Sequence, residues 1–375
     1  MNVCIVTSSY PANPSDVAAP FAADFARAVQ KRGHNVYVVA PERPGIEPSA
    51  DGVSVFWIPR RGSTKAMVQT KLTSPKEIWG TIQLLRDGER LLLRTVREHS
   101  IDVCFALWVV PGGYLAWRVG RRTRTPYAVW ALGSDINTFA RYPVVRSLIK
   151  RILKRARLRF ANSQVLAERV TELSGADCQL LPATRTLPLS HRRLDLPGRV
   201  RFLFLGRLER VKGVDVLLDA MARLKPDDGI HLYVLGGGSL ESRLVSQIAA
   251  AGLQKVVTMV SSPTNDVVAA YFASCDCLVI PSRSESLPVV FAEAVQAGIP
   301  LLVTDTGDMG RLARKHGLMP PVPAEDAEAL AEAMRQFAVD PAGHRRQFEA
   351  ARAGLRDLFD PEAGADRFLA AFSSS

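Results

Sequence analysis

The stretch "RFLFLGRLERVKGVDVLLDA", residues 201–220, decides the fold prediction. Its first part is a short apolar run that ends at Gly206, and its last part has apolar residues at helical spacing. A buried strand that turns through a glycine into an amphipathic helix is typical of a βαβ unit. We therefore expect a parallel sheet covered by helices around this stretch.

The same rhythm runs through the rest of the chain. Strand-like runs precede this stretch in "NVCIVTSSY", "NVYVVAP", "DVCFALW" and "YAVWALG", and follow it in "IHLYVLGGG", "CLVIPS" and "PLLVTD". Helical patterns separate them, while "LLPATRTLPLSHRRLDLPG" has no clear period and suits a linker. The sequence predicts an α/β protein with two facing, Rossmann-like, doubly wound parallel-sheet domains and a cleft between them. The predicted domains are residues 1–185 and 201–354, joined by a linker at 186–200, and a last helix at about 355–375 returns to the first domain.

Composition limits the class of protein. The chain has 375 residues, of which 47% are hydrophobic and 23% are charged, as in globular proteins. No window approaches the roughly 18 uninterrupted apolar residues of a membrane span, and no basic leader precedes the first apolar run. Five scattered cysteines lack zinc spacing, and no pair of aspartates has the spacing of metal ligands. We predict a cytoplasmic protein that needs no metal or other cofactor.

Two glutamates mark the loop and helix in "PSRSESLPVVFAEAVQAGIP", residues 281–300. Glu285 follows a strand and lies close to the amino end of a helix, where free N–H groups favour phosphate or sugar oxygens. Glu293 lies further along, in an almost unbroken apolar run, so its carboxylate requires a partner. That partner is either a buried Arg or Lys, or the two adjacent hydroxyls of a ribose.

Two cations follow the strand that ends at Gly206. Arg207 offers a bidentate fork and Lys212 a point charge, and two cations at the carboxyl end of a strand can bind a diphosphate. Basic residues in loops are often only solvated. Their position before the two glutamates favours a site for a nucleotide carrying a diphosphate.

Taken together, these segments resemble the nucleotide-sugar glycosyltransferases of family 4 (group 1), which are retaining enzymes with the GT-B fold. The resemblance covers nearly the whole chain, from "SSYPANPSDVAAPFAADFARAVQKRGHNVYVVAP" through "ALGSDIN" and "GRLERVKG" to "ESLPVVFAEAVQAGIP". It implies transfer of a hexose from a nucleotide-diphosphate sugar such as a UDP-sugar, with no metal ion. The implied donor-binding residues are Gly206, Arg207, Lys212, Glu285, Ser286, Leu287 and Glu293, and the implied catalytic residues are Arg207, Lys212, Glu285 and Asp135.

Three segments depart from the family pattern. Leu132 precedes Gly133 where the family often has a histidine, so one side-chain contact to the donor sugar is missing. Asp16 and Val17 replace a glycine pair in the first loop, which the resemblance assigns with Gly133 to the donor or acceptor side. The linker has "PATRT" where the family has "NGVD". Asp135 either orients a substrate or caps a helix, since an aspartate after Gly-Ser is a common capping residue.

The first half of the chain carries the whole basic excess. Residues 1–190 contain 27 Lys and Arg against 14 Asp and Glu, a net charge of +13, and residues 191–375 contain 21 against 23, a net charge of −2. "RYPVVRSLIKRILKRARLRF", residues 141–160, contains eight basic residues and no acidic one. On a helix, Lys150, Arg151, Lys154 and Arg157 lie opposite an apolar face. This pattern predicts contact with an anionic membrane, although charges on a packed helix can also be merely solvated.

A membrane contact implies a lipid-linked saccharide or glycolipid acceptor, hence polysaccharide or glycolipid biosynthesis by a peripheral protein on the inner face of the cell membrane. Two alternatives use the same fold: a sugar-nucleotide epimerase, and a catalytically silent protein that binds nucleotide sugars. Nucleic-acid binding is a third alternative, because proteins that bind nucleic acids also have a basic face. However, no nucleic-acid-binding module is recognisable in the sequence.

Overall fold

The computed structural model describes residues 1–13, 16, 18–46, 52–60, 75–186, 192–224 and 229–373. The chain divides into two compact units: Met1–Arg185 with Pro361–Ser375 form unit 1, and Thr186–Asp360 form unit 2. The sequence prediction puts the first boundary at residue 185 and the start of the returning helix at about 355.

Unit 1 is built on a seven-stranded sheet in which every pairing is parallel, with the order β3-β2-β1-β4-β5-β6-β7. Its strands are β1 (Asn2–Val6), β2 (Asn35–Pro41), β3 (Ser54–Ile58), β4 (Val103–Leu107), β5 (Tyr127–Ala131), β6 (Leu158–Ala161) and β7 (Gln179–Leu180). Its helices are α1 (Pro20–Lys31), α2 (Pro75–Glu98), α3 (Tyr114–Thr123), α4 (Ser134–Asn137), α5 (Pro143–Arg155), α6 (Gln164–Ser174) and the last helix, α14 (Pro361–Ser373).

The last helix of the chain packs on unit 1. The Phe368 ring of α14 lies 4.4 Å from the Phe105 ring of β4 and 5.4 Å from the Phe25 ring of α1. At the edge of this aromatic contact, the Arg32 guanidinium forms ion pairs with Glu362 and Asp366. Aromatic burial therefore holds α14 in place, and the ion pairs fix its position along α1.

Unit 2 contains a five-stranded parallel sheet with the order β10-β9-β8-β11-β12. Its strands are β8 (Val200–Leu205), β9 (Ile230–Leu235), β10 (Val257–Val260), β11 (Cys277–Ile280) and β12 (Leu301–Val303). Its helices are α7 (Val214–Met221), α8 (Glu241–Ala250), α9 (Asn265–Ser274), α10 (Val289–Ala297), α11 (Gly307–His316), α12 (Ala327–Val339) and α13 (Pro341–Arg356). Apolar clusters form on this sheet, one including Phe202 and Phe337 and the other including Phe291 and Leu278.

Both units are doubly wound, which confirms the predicted fold class. The strand order reverses between β1 and β4 in unit 1 and between β8 and β11 in unit 2. In open α/β sheets, ligands bind beyond the carboxyl ends of the strands at such a reversal. The loops after β8 and β11 carry the predicted donor residues, so the fold brings them to one sheet edge. Within the described part of the chain, no helix is both long and apolar enough to span a bilayer.

Candidate active site

The loop after β8 presents the two predicted phosphate-binding cations differently. Arg207 directly follows Gly206 and is exposed. Lys212 ends a short 3-10 turn, Arg210–Lys212, and its side chain is only 19% exposed. Gly213 follows with φ of 70°, a left-handed conformation, and α7 then begins at Val214. The chain thus offers one cation to solvent and holds the other against the protein.

Lys212 and Glu285 form an ion pair in the structure. The Lys212 ammonium contacts the Glu285 carboxylate, and the two side chains are 19% and 18% exposed. The loops after the adjacent strands β8 and β11 bring these residues together. Sequence analysis predicts both as donor-site residues but does not predict their direct contact. A bound diphosphate would compete with Glu285 for the lysine charge.

Arg283 braces this pair, and sequence analysis missed it. Its guanidinium donates to the Asp215 carboxylate at 2.7 and 3.0 Å, to Glu325 at 2.7 Å and to the Arg210 carbonyl at 2.7 Å. Its backbone N–H also donates to the Val211 carbonyl at 2.9 Å. Arg283 therefore ties the loop that carries Glu285 to the turn that ends at Lys212. Its only signal in the sequence is a cation in a loop directly after a strand.

The carboxylate that faces Arg283 is stabilised in its charged form. Partial burial raises the pKa of Asp215, but the hydrogen bonds and charge of Arg283 outweigh burial and bring that pKa below its usual value. The same hydrogen bonds raise the pKa of Arg283 above the ordinary arginine value. The brace is therefore a charged, bidentate pair, the strongest type of side-chain hydrogen bonding.

Close backbone contacts between the loops require glycine at several positions, of which Gly236 and Gly307 are two. A Cβ atom at Gly236 would lie 1.9 Å from the Gly206 carbonyl oxygen. A Cβ atom at Gly307, where φ is 54°, would lie 2.1 Å from the Glu285 carbonyl oxygen and 2.4 Å from that of Ser286. The loop after β9 thus packs directly on the loop after β8, and the start of α11 packs directly on the loop that carries Glu285.

The glycine-rich segment after β9 also contacts the cation loop through side chains. The Ser239 hydroxyl donates to the Glu209 carboxylate at 2.6 Å, and the Ser239 backbone N–H donates to it at 3.3 Å. The hydroxyl contact is the main reason that the pKa of Glu209 lies below its usual value. The glycine-rich segment therefore packs against the loop that carries Arg207 and Lys212.

The helix that follows Glu285 begins directly after a proline. Pro288 is the N-cap, with φ of −75° and ψ of 144°, and α10 runs from Val289. Leu287 is 6% exposed, and the Ser286 carbonyl accepts the Asp308 N–H at 2.9 Å. Glu293 is 4% exposed, in agreement with the burial that the apolar run predicts.

Asp135 is held by backbone N–H groups in unit 1. It is fully buried, and its carboxylate accepts the N–H of Val109 at 2.8 Å, of Gly133 at 2.9 Å and of Leu132 at 3.3 Å. Burial raises the pKa of Asp135 above its usual value, although these hydrogen bonds oppose the rise. The carboxylate joins the loop after β5 to the loop after β4, which favours an anchoring role over direct contact with a substrate.

Asp16 likewise anchors its loop. Its carboxylate accepts Arg43 Nε at 2.8 Å and the backbone N–H groups of Ala12 at 3.0 Å and Ala18 at 2.9 Å. Burial raises the pKa of Asp16, and these hydrogen bonds overcome that effect and lower it below the usual value. An ion pair therefore shapes the loop where the family pattern has glycines. Val17 lies outside the described residues.

The predicted basic helix is shorter than its sequence pattern. It ends at Arg155, and β6 begins at Leu158, so the prediction that Arg157 lies on the helix is wrong. The Arg157 guanidinium instead lies over the Phe372 ring of α14, 5.6 Å from its centre. Arg151 and Lys154 are exposed and Lys150 is partly exposed, on the side of α5 that faces away from the core.

Comparison with known proteins gives matches over both units. The model of the family "Glycosyl transferases group 1" matches residues 190–353, and that of the "Glycosyl transferase 4-like domain" matches residues 18–184. TuaC of Bacillus subtilis is 26% identical to this chain over 360 residues. It is named as a glycosyltransferase of teichuronic acid biosynthesis. That match covers 90% of this chain and 89% of TuaC.

A mycobacterial protein and two solved structures extend the comparison. The GDP-mannose-dependent alpha-(1-6)-phosphatidylinositol monomannoside mannosyltransferase of Mycobacterium tuberculosis is 24% identical over 364 residues, covering 90% of this chain and 89% of that protein. Sucrose-phosphate synthase from Thermosynechococcus elongatus superposes with a TM-score of 0.81 at 19% sequence identity. Anabaena HepE in complex with UDP-glucose superposes with a TM-score of 0.75 at 16% sequence identity. Each of these two matches covers 100% of both chains.

Proposed function

Because the chain belongs to the group 1 glycosyltransferases with the GT-B fold, we propose that it transfers a hexose from a nucleotide-diphosphate sugar with retention of configuration. The observation that carries the proposal is the Lys212–Glu285 pair, beside the exposed Arg207, where the strand order of unit 2 reverses. A cation pair and a carboxylate at such a point match the two ends of a sugar diphosphate.

In the proposed complex, Arg207 and Lys212 bind the diphosphate and stabilise its charge as it leaves. Glu285 then accepts hydrogen bonds from the sugar hydroxyls, and Glu293 accepts those of the ribose. The backbone of Ser286 and Leu287 borders the sugar. Catalysis of this kind consists of positioning and charge stabilisation.

The proposed reaction proceeds on one face of the sugar. The acceptor hydroxyl attacks the anomeric carbon on the face from which the diphosphate leaves. As the bond between that carbon and the diphosphate oxygen breaks, the hydroxyl proton passes to an oxygen of the diphosphate. Configuration is retained, and the cations take over the role that a metal ion has in other transferases.

A UDP-sugar is the proposed donor, since HepE, which shares the fold, binds UDP-glucose. A lipid-linked saccharide or glycolipid is the proposed acceptor, since the mycobacterial relative is named for a phosphatidylinositol mannoside. The +13 net charge of residues 1–190 is consistent with work at an anionic membrane, on its cytoplasmic face.

The test is a thermal-shift panel of UDP-, GDP- and ADP-sugars, because a ligand that binds only the folded state raises the melting temperature. We expect one nucleotide class to stabilise the parent, and both Glu293→Gln and Lys212→Ala to weaken that effect. Transfer to a lipid-linked acceptor is then followed with an excess of chelator present, and is expected to continue. If the melting-temperature shifts of both variants equal that of the parent, the site assignment is wrong. Release of free epimerised nucleotide sugar would favour an epimerase.

A further inference from the structure

A groove rich in arginine lies in unit 1, and its described lining includes none of the residues assigned to the donor. Its volume is about 600 Å³, and its walls include Arg121, Arg124, Arg151, Arg155 and Arg157 together with Trp117. This volume lies within the range of sites for small ligands, roughly 300 to 1,000 Å³. Sequence analysis assigns two of these arginines to a membrane surface, whereas the structure brings all five around one concavity.

The groove lies at the edge of the unit 1 sheet opposite to the loop that carries Asp135. Arg124 lies shortly before β5, and Arg157 directly precedes β6. Asp135 and Gly133 lie in the loop after the carboxyl end of β5. Since neighbouring strands are parallel, the groove and that loop are separated by the length of the strands, about 3.3 Å per residue. The groove is therefore separate from the loop that carries Gly133 and Asp135.

The described lining of the groove carries no acidic side chain. Within the described part of the chain, Arg124, Arg151 and Arg155 form no ion pair. The like charges of Arg124, Arg151 and Arg155 around one concavity repel each other and create a focused positive potential. An anion that enters the groove would relieve this repulsion.

Two of the guanidiniums are held by aromatic rings. Arg121 lies 5.4 Å from the centre of the Trp117 ring, and Arg157 lies 5.6 Å from that of the Phe372 ring. The floor is anchored as well, because the buried Tyr127 hydroxyl donates to the Ile152 carbonyl at 2.6 Å. Stacked guanidiniums lose less freedom when they bind a ligand and keep their N–H groups for bidentate contacts.

We propose that this groove binds a ligand that carries two or more adjacent phosphate groups. Guanidinium groups match phosphate oxygens in bidentate pairs, and only a ligand of high charge density answers five arginines within this volume. A concave site favours such a compact ligand over a flat membrane surface. The site is independent of the donor site that we propose in unit 2.

The test uses sodium tripolyphosphate as the probe, in titration calorimetry with the full-length protein. The variant R124Q/R155Q removes two guanidiniums, and R141Q/R146Q removes two exposed ones elsewhere in unit 1 as a control of equal charge. K212A keeps the groove and weakens the donor site. We expect R124Q/R155Q to bind tripolyphosphate about a hundredfold more weakly than the parent does. R141Q/R146Q and K212A should still bind tripolyphosphate in the groove.

UDP-sugar binding provides the second readout. It should be unchanged in R124Q/R155Q, which shows that this variant folds, so that failure of the groove and failure of the donor site are distinguishable. Tripolyphosphate affinity that differs less than about twofold between the parent and R124Q/R155Q would overturn the proposal, as would an equal loss in R141Q/R146Q. Vesicles of phosphatidylglycerol and a single-stranded RNA form two further arms. Suppose that the parent binds vesicles or RNA but not tripolyphosphate, and that R124Q/R155Q loses that vesicle or RNA binding. In that case the groove is part of a surface for membranes or RNA, and the proposal is wrong.

Discussion

The Lys212 ammonium contacts the Glu285 carboxylate, although 73 positions separate the two residues. Their contact depends on the pairing of β8 with β11, in which Phe202 lies opposite Cys277 and Leu203 opposite Leu278. A lysine held by a carboxylate at the edge of the sheet is already oriented before a ligand arrives. The proposed donor site is therefore largely preorganised.

Lys212→Ala is expected to lower kcat/KM for transfer by about 10² to 10³, because one cation that stabilises the leaving diphosphate is lost. The same variant should bind the nucleoside diphosphate product more weakly. Steady-state kinetics and calorimetry measure the two effects. Lys255→Ala, which removes an exposed lysine of unit 2, serves as the control and should behave like the parent. Unaltered kinetics in Lys212→Ala would contradict the assignment.

Arg283→Gln is expected to impair the proposed donor site, although Arg283 is not assigned a contact with the donor. Without the guanidinium, the partly buried Asp215 carboxylate loses its charged partner, and the turn that carries Lys212 loses its brace. We expect the free energy of unfolding to fall by about 2 kcal/mol and KM for the donor to rise. Denaturant titration and kinetics check both. Arg283→Lys keeps the charge but not the bidentate geometry, so an unaffected KM in both variants would rule out the brace.

The sequence predicts the elements well because their patterns are local. Gly206 after an apolar run, and Glu285 before a helix, place both residues at the carboxyl edge of a parallel sheet. The prediction is wrong at Arg157, because the basic run alternates in a way that suits a helix and a strand alike, and only the pairing of β6 with β5 decides where α5 ends. The roles of Arg283 and Asp135 depend on partners from distant segments, which no local pattern reveals.

Gly307→Ala is expected to displace the loop that carries Glu285, since the new Cβ atom would lie 2.1 Å from the Glu285 carbonyl oxygen. Gly317→Ala is a matched control, because Gly317 also has a positive φ, 66°, but no atom within 4 Å of the added Cβ. The control measures the backbone strain alone, about 1 to 2 kcal/mol. We expect Gly307→Ala to lose transfer activity at least about tenfold more than Gly317→Ala, and equal losses would show that the close contact is unimportant.

Asp135→Ala is expected to destabilise unit 1, because three backbone N–H groups lose their acceptor. The cost is about 3 kcal/mol, measured by denaturant unfolding. Nucleotide-sugar binding, assigned to unit 2, should be unchanged while kcat falls. Loss of nucleotide-sugar binding in a folded variant would instead show that Asp135 acts on the donor.

Stability should also depend on pH through Asp135. Because its pKa in the folded state is raised above the unfolded value near 3.9, the folded state binds more protons between the two values. The free energy of unfolding contributed by this group therefore falls as pH rises from about 4 through the raised pKa. Asp135→Asn cannot titrate and should lack this decline. Denaturant titrations across that range test the sign, and parallel pH curves for the parent and Asp135→Asn would contradict it.

Lys150 and Lys154 should contribute to membrane binding independently of the arginine groove. They lie on α5 but not among the described lining residues of the groove. The exposed Tyr142 and Val144 precede them, 63% and 84% exposed, which suits contact with a membrane interface. Each lysine near an anionic surface contributes about 1 kcal/mol, so K150Q/K154Q should bind phosphatidylglycerol vesicles about 30-fold more weakly.

Sedimentation with vesicles measures this loss, and R243Q/K255Q, which removes two exposed charges from unit 2, is the control. Binding by the parent should weaken as salt shortens the Debye length below about 8 Å, since the attraction is between exposed charges and the surface. K150Q/K154Q should still bind nucleotide sugar, because the proposed donor residues lie in unit 2. If the parent ignores anionic vesicles at low salt, or K150Q/K154Q sediments as the parent does, α5 is not a membrane surface. A water-soluble acceptor then becomes the better hypothesis.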